Sequence, residues 1–407
     1  MSDFQRTFEQ RIAALATLSE TEEMLTRPSY TPSMRRANDL VASWMGAAGM
    51  VTREDGIGNL IGRYEGIQPN AKALLFGSHI DTVIDAGKYD GTLGVLLGLA
   101  VVEHFSHQNI RLPFALEVMA FADEEGLRFH LPYIGSRAFS GTLTLEQLAF
   151  ADESGISISQ AISKYGGNPE KISADKRHAN EFIGYIEAHI EQGPSLEAAN
   201  VPVGVVSAIA GQHRAQLTFT GEAGHAGTVP MALRKDALVV AARFVQAVWD
   251  MGNAVDGLVA TVGQLQVQPG ASNAVPGKVV LSLDVRHAYD TVRANAITQL
   301  ADQARHMSEQ GNCVLEWLDI SVSPAIACSP RLIELLSSSV TGQAPLMMVS
   351  GAGHDAVQVA QVTDVAMLFV RCKGGISHNP AEFCSSADAE TALHVMIGAV
   401  EKLAKTL

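Results

Sequence analysis

The chain has 407 residues, 47% hydrophobic and 18% charged, with a formal net charge of −14. That length exceeds one ordinary core and points to two domains, and the apolar content excludes a disordered chain. The diffuse negative charge offers no basic stripe and excludes nucleic acid as a partner, although local arginines can still hold a small anion.

Apolar residues recur at helical spacing from Phe4 to Leu18 and from Met34 to Ala48, and Gly49 stops the second helix. Val51 to Arg63 reads as a hairpin around Asp55-Gly56. Leu74–Ser78 is an apolar strand, Gly91–Phe105 a nearly all-apolar and therefore buried helix, and Leu116–Phe121 a second apolar strand. Strand, helix and strand with few alternating polar positions describe a parallel sheet covered on both faces. Residues 141–180 are polar and helical only in patches. Alternation from Ala215 to Thr220 marks a one-sided strand. A helix at Arg234–Trp249, strands at Leu258–Gln268 and Lys278–Val285, a helix at Val292–Met307 and a strand at Val314–Ser321 follow. Their order, β-α-β-β-α-β, is that of a ferredoxin-like unit. After Pro324 the doubly wound pattern returns as helix Arg331–Val340, strand Met347–Ser350, helix His354–Gln361, strand Ala366–Val370 and helix Ala387–Lys405.

The expected architecture is α/β. Residues 1–210 and 325–407 form one domain with a mixed, mostly parallel sheet between helical layers, and residues 211–324 form an inserted α+β domain. No apolar run reaches the roughly 18–20 residues that span a bilayer, so no membrane is expected. Met1 to Arg6 lacks the pattern of a signal peptide. The scattered Cys313, Cys328, Cys372 and Cys384 form no CxxC pair and fit a reducing, cytoplasmic setting.

The chemistry concentrates at strand ends. The run Ala73–Phe76 leads into Gly77-Ser78-His79-Ile80-Asp81, followed by Tyr89-Asp90-Gly91. The second apolar strand ends in Asp123-Glu124-Glu125-Gly126. Adjacent carboxylates on an extended segment point to opposite sides, so one can ligate a metal while the other serves as general base. His189 and His378 lie near the ends of elements of the same domain, beside glycine and proline. His79, Asp90, Glu125, His189 and His378 are too many ligands for one structural zinc and include no thiolate. They suit two ions sharing a carboxylate. Arg286 ends a strand, and its planar guanidinium with Asn273 makes a candidate clamp for a carboxylate.

These motifs, with His189-Ile190-Glu191-Gln192-Gly193-Pro194, Gly224-His225-Ala226-Gly227, Asn273-Ala274-Val275-Pro276-Gly277, Ser350-Gly351-Ala352-Gly353-His354-Asp355 and Gly375-Ile376-Ser377-His378-Asn379-Pro380, span most of the chain. In that order they resemble the dinuclear-metal amidohydrolases of the aminoacylase and zinc exopeptidase clan. The chain is similar to their ureido-hydrolysing branch: allantoate amidohydrolases, N-carbamoyl-L-amino-acid hydrolases and β-ureidopropionases. The short loop from His79 to Asp90 and a histidine at 189 favour that branch over the peptidases, which makes a dipeptidase or aminoacylase the weaker alternative. A scaffold that keeps the fold without catalysis is disfavoured by intact Glu124 and all five ligands.

The resemblance implies two divalent ions per subunit, zinc or manganese, with cobalt or nickel also accepted by such ligands. One would sit on His79, Asp90 and His189, the other on Asp90, Glu125 and His378. Asp81 would orient His79 by accepting its remaining ring N–H, and Glu124 would shuttle the proton. Gln192 would hydrogen-bond the ureido group, and Arg214 would be a second substrate contact beside Arg286. His225 would donate to the oxyanion from the neighbouring subunit of a homodimer paired through the inserted lid domain. The substrate implied is a small carboxylate-bearing ureido compound, with allantoate preferred and N-carbamoyl amino acids as the alternative.

Overall fold

Ser2 starts the first helix by a capping box: its hydroxyl accepts from the Gln5 amide at 3.1 Å, and the Gln5 side chain returns to the Ser2 amide. The structure, a computed structural model, describes residues 1–406. Helix α1 spans Asp3–Ala16 and α2 Pro32–Ala47, the latter capped by Thr31. Strands β1 (Val51–Glu54) and β2 (Leu60–Tyr64) form the expected antiparallel hairpin. Then come β3 (Ala73–His79), α3 (Thr92–His107), β4 (Ala115–Phe121), α4 (Ile134–Ser140), α5 (Ile158–Tyr165), β5 (Phe182–Ile190), α6 (Ser195–Ala198) and β6 (Val203–Ile209). Two compact units emerge, Met1–Ser207 with Cys328–Leu407, and Ala208–Ala327.

In the second unit the order is β7 (Gly211–Thr220), β8 (Gly224–His225), α7 (Ala237–Ala254), β9 (Val259–Thr261), β10 (Leu265–Gln268), β11 (Ala274–Val275), β12 (Lys278–His287), α8 (Asp290–Gln310), β13 (Val314–Ser323) and β14 (Ile326–Ala327). Its main sheet runs β10-β12-β7-β13, with β9 also on β12. Phe219 and Leu281 of the sheet pack with Phe244 of α7 and Leu300 of α8 in one core. The single strand expected over Leu258–Gln268 is two short ones, separated by Val262-Gly263-Gln264. The glycine and the absence of ladder pairing there break the strand.

The first unit resumes with α9 (Pro330–Ser337), β15 (Leu346–Ser350), α10 (Ala356–Val359), β16 (Val365–Val370) and α11 (Ser386–Ala404). Its sheet runs β1-β2-β4-β3-β5-β16-β6, with β15 also on β6. Strands β4, β3, β5 and β16 pair in parallel, whereas β2 joins β4 and β6 joins β16 antiparallel. The sheet is thus mixed, with a parallel centre. Strand β6 was not expected, because Val203–Ile209 lies where the composition changes towards the second unit. The helix expected over His354–Gln361 is confined to Ala356–Val359.

Period-two alternation explains the two covered faces of β5. Ile186, Ala188 and Ile190 join the core with Leu97 of α3 and Met396 of α11. Glu187, between them, accepts from the Ala356 amide of α10 at 2.9 Å, and His189 lies against His354. The carboxyl ends of β3, β4, β5 and β16 therefore open at one edge, where an open α/β sheet places its site.

Candidate metal centre

Strand β3 is fully buried and delivers His79 at its end, 2% exposed. The His79 Nδ1–H donates to the main-chain carbonyl of Asp81 at 3.0 Å, leaving Nε2 as the open nitrogen. The Asp81 carboxylate stands 3.6 Å from Nδ1, beyond a hydrogen bond. It accepts instead from the amides of Glu124 and Glu125 at 3.3 and 3.2 Å. The expectation that the Asp81 side chain orients His79 is corrected: its main chain does so, because the chain folds back after β3. Its carboxylate ties this loop to the end of β4.

At that end Asp123 takes φ +57°, so Glu124 and Glu125 do not continue an extended strand. Carboxylate oxygens of both lie within 4.8 Å of a His79 nitrogen and of each other. The expectation that they diverge fails because the left-handed Asp123 replaces the pleat with a turn.

Asp90 is the meeting point. Its Oδ1 lies 3.1 Å from His189 Nε2 and 3.5 Å from His79 Nε2, and its Oδ2 lies 3.4 Å from His378 Nε2. His189 Nδ1 donates to the Ile190 carbonyl at 3.0 Å, so it too turns Nε2 inward. His378 stands 3.6 Å from Glu125. Three overlapping groups are placed to hold a metal ion: His79, Asp90 and His189; His79, Glu124 and Glu125; Asp90, Glu125 and His378. The first is wholly buried, whereas the His378 side chain is 47% exposed.

Electrostatics agree with a cation site. Burial lifts Glu124 well above the usual carboxylate range, with Glu125, Asp355 and Asp81 adding to it and His79 opposing. Glu125 is pushed up to about 7 by burial against the pull of His79, with Asp90 adding to the rise. For Asp90 burial also pushes upward, but His189, His378 and His79 win and hold it well below. Carboxylates crowded in a low-dielectric pocket repel one another, and a divalent ion relieves that repulsion. The donor set of imidazole nitrogen and carboxylate oxygen without sulfur fits Zn, Mn, Co or Ni.

The other candidate residues divide between the units. In the first, Gln192 donates from Nε2 to Asp90 Oδ2 at 2.8 Å and to Ser377 Oγ at 3.2 Å, while its Oε1 is buried without a partner. In the second, Arg214 and Arg286 converge on Asp284, from Nε at 3.2 Å and from Nε and a terminal nitrogen at 2.9 Å each. Arg286 thus shares a carboxylate with Arg214, and the main-chain carbonyl of Asn273 accepts from the Ala226 amide at 2.9 Å, beside His225. His225 accepts at Nδ1 from the Gly227 amide at 3.0 Å, which leaves Nε2 as the ring's donor nitrogen.

Four residues near the ligands had no role in the sequence reading. Glu187, buried in β5, takes hydrogen bonds from Ser78, Tyr185 and Ala356. His354 bonds Ser350 at 2.8 Å and sets its ring centroid 4.6 Å from that of His189. Ser377 and Glu382 bracket His378. A lone charge inside an apolar strand marked Glu187, and the only acidic residue between Lys373 and Asp388 marked Glu382.

The sequence profile of peptidase family M20/M25/M40 matches residues 75–402. The chain belongs to that family. It is 39% identical over 383 residues to an N-carbamoyl-L-amino acid amidohydrolase of Geobacillus stearothermophilus, covering 94% of each chain. It is 36% identical to a probable allantoate deiminase of Oryza sativa subsp. japonica, covering 96% of this chain and 87% of that one. A crystal structure of a hydantoinase/carbamoylase family amidase from Burkholderia multivorans superposes with a TM-score of 0.93 at 32% identity, over 99% of this chain and 98% of that one. As an M20 family member with such relatives, the chain is an amidohydrolase acting on carbon–nitrogen bonds other than peptide bonds. Among the described residues no helix is long and apolar enough to cross a membrane.

Proposed function

We propose that the protein hydrolyses the linear ureido C–N bond of a carboxylate-bearing substrate, with two divalent ions per subunit. The observation that carries this reading is Glu124 Oε2 at 3.8 Å from His79 Nε2, inside overlapping ligand groups that share Asp90 and Glu125. His79, Asp90 and His189 would hold one ion, and Asp90, Glu125 and His378 the other. When bound, such ions polarise the carbonyl and activate water. Glu124 takes the proton of the attacking water and returns it to the departing nitrogen; its raised proton affinity suits the second task. Gln192 presents the ureido edge with an amide oxygen that has no protein partner. The Arg214 and Arg286 pair receives the substrate carboxylate, and His225 Nε2–H the oxyanion.

Allantoate is the preferred substrate. N-carbamoyl-L-amino acids are the second reading, supported by the 39% identity to an N-carbamoyl-L-amino acid amidohydrolase. We further propose a cytoplasmic homodimer built through the second unit as lid and dimerisation domain. Strand β13 at the edge of its sheet exposes Val314, Leu318, Ile320 and Val322, a face that a second copy would cover.

Ammonia release on allantoate, N-carbamoyl-L-amino acids, N-carbamoyl-β-alanine and a dipeptide tests the substrate class. Turnover of one ureido compound is expected, and preference for the dipeptide would sink the reading. Glu124→Gln should retain metal and substrate binding while turnover falls by roughly 10²–10⁴-fold; unchanged turnover would remove Glu124 from its role.

A further inference from the structure

Glu382 is 3% exposed, and its Oε1 accepts two main-chain amides from a distant segment: Tyr89 at 2.8 Å and Asp90 at 3.1 Å. Its Oε2 lies 3.3 Å from Ser377 Oγ, which donates its single proton to Asp90 Oδ2 over the shorter path of 2.7 Å. Both the backbone and the carboxylate of Asp90 are therefore fixed by the loop that also carries His378. The opposite wall is built for this carboxylate: a Cβ on Gly87 would fall 2.2 Å from the Glu382 carboxyl carbon.

We propose that Glu382 is a positioning residue for the bridging carboxylate: by clamping the Tyr89 and Asp90 amides it sets where Asp90 stands between His189 and His378. Two strand-end segments almost three hundred residues apart then form one ligand platform, and metal affinity depends on the clamp. The inference deepens the proposed site, and its test needs no substrate, so an error in the proposed reaction leaves it standing or falling alone.

The clamp works through acceptor oxygen rather than charge, which separates two variants. Glu382→Ala removes the acceptor and should weaken zinc or manganese binding about 10–100-fold, as loss of an outer hydrogen-bond partner of a metal ligand typically does. Glu382→Gln keeps an oxygen for both amides and should restore most of that affinity. Gly87→Ala pushes the carboxylate off the amides without removing it and should reproduce the weakened binding, even if Glu382→Ala fails to fold. Competition with a chelating dye gives the affinities, and thermal melting of the metal-free proteins reports folding. Wild-type metal affinity in folded Gly87→Ala or Glu382→Ala protein overturns the proposal. So does a melting temperature that falls while affinity stays, and so does Glu382→Gln as weak as Glu382→Ala.

Discussion

The five candidate ligand residues are unequal in what surrounds them. His79 and His189 are 2% and 1% exposed and are locked by Nδ1 hydrogen bonds to main-chain carbonyls. His378 has no such lock among the described contacts and projects from a loop at φ +53°. Its ionisation rises from 6.5 to about 9, chiefly through its hydrogen bond to Asp90, with Glu125 adding and burial opposing. The sign follows. A histidine raised in the folded state stabilises the metal-free protein fully below 6.5, and that contribution is lost as pH climbs through about 9. Urea denaturation of chelator-treated protein should show this loss, and His378→Ala should flatten it. A metal ion must displace the same proton, so its affinity for the His378 group should rise across that window. Equal pH dependence in the variant would assign the effect to another group.

Among the elements, α3 packs directly against the strands that carry His79 and His189. It is buried along nearly its whole length and starts directly after Asp90 and Gly91. Gly94 lets its first turn lie on the sheet: a Cβ there would meet the Ala188 carbonyl oxygen at 2.2 Å and Ser78 Cβ at 2.9 Å. Ala188 precedes His189 and Ser78 precedes His79, so the contact lies against both ligand strands. Gly94→Ala should therefore destabilise by about 1–3 kcal/mol through overpacking, outweighing the ~1 kcal/mol that alanine gains in a helix. Chemical denaturation measures it, and a more stable variant would contradict the close packing. The same element shows why much of the fold is legible in the sequence. Continuous apolar runs such as Leu93–Val102 and Val118–Ala122 state their burial on both faces without reference to any partner. What the sequence hides are features decided by the third dimension. Strand β6 exists because β16 offers it an antiparallel edge. The turn at Asp123 brings Glu124 and Glu125 to one side, contrary to the period of a strand. The choice between the carbonyl and the carboxylate of Asp81 as the His79 acceptor is set by how the chain folds after β3, a fold-back that residue types do not encode.

At the scale of the molecule, the candidate metal ligands all come from the first unit, whereas Arg214, His225, Asn273 and Arg286 all come from the second. Under the proposed reaction, His225 serves the site of the neighbouring subunit. A composite site has a consequence that a site built from one chain lacks. Homodimers of Glu124→Gln and homodimers of His225→Ala should each be nearly inactive. Mixed by unfolding and refolding together, they form heterodimers in which one site carries both defects and the other carries neither. With random pairing, about half the dimers are mixed and each has one intact site, so about a quarter of wild-type activity should return. If His225 serves its own subunit, every site in the mixture keeps one defect and no activity returns. Charged substitutions at Leu318 and Ile320, on the exposed face of β13, should abolish this recovery by separating the subunits, and light scattering would show the monomer. A dimer that persists after those substitutions would move the interface to another surface, and recovery of activity would still assign His225 to its partner's site.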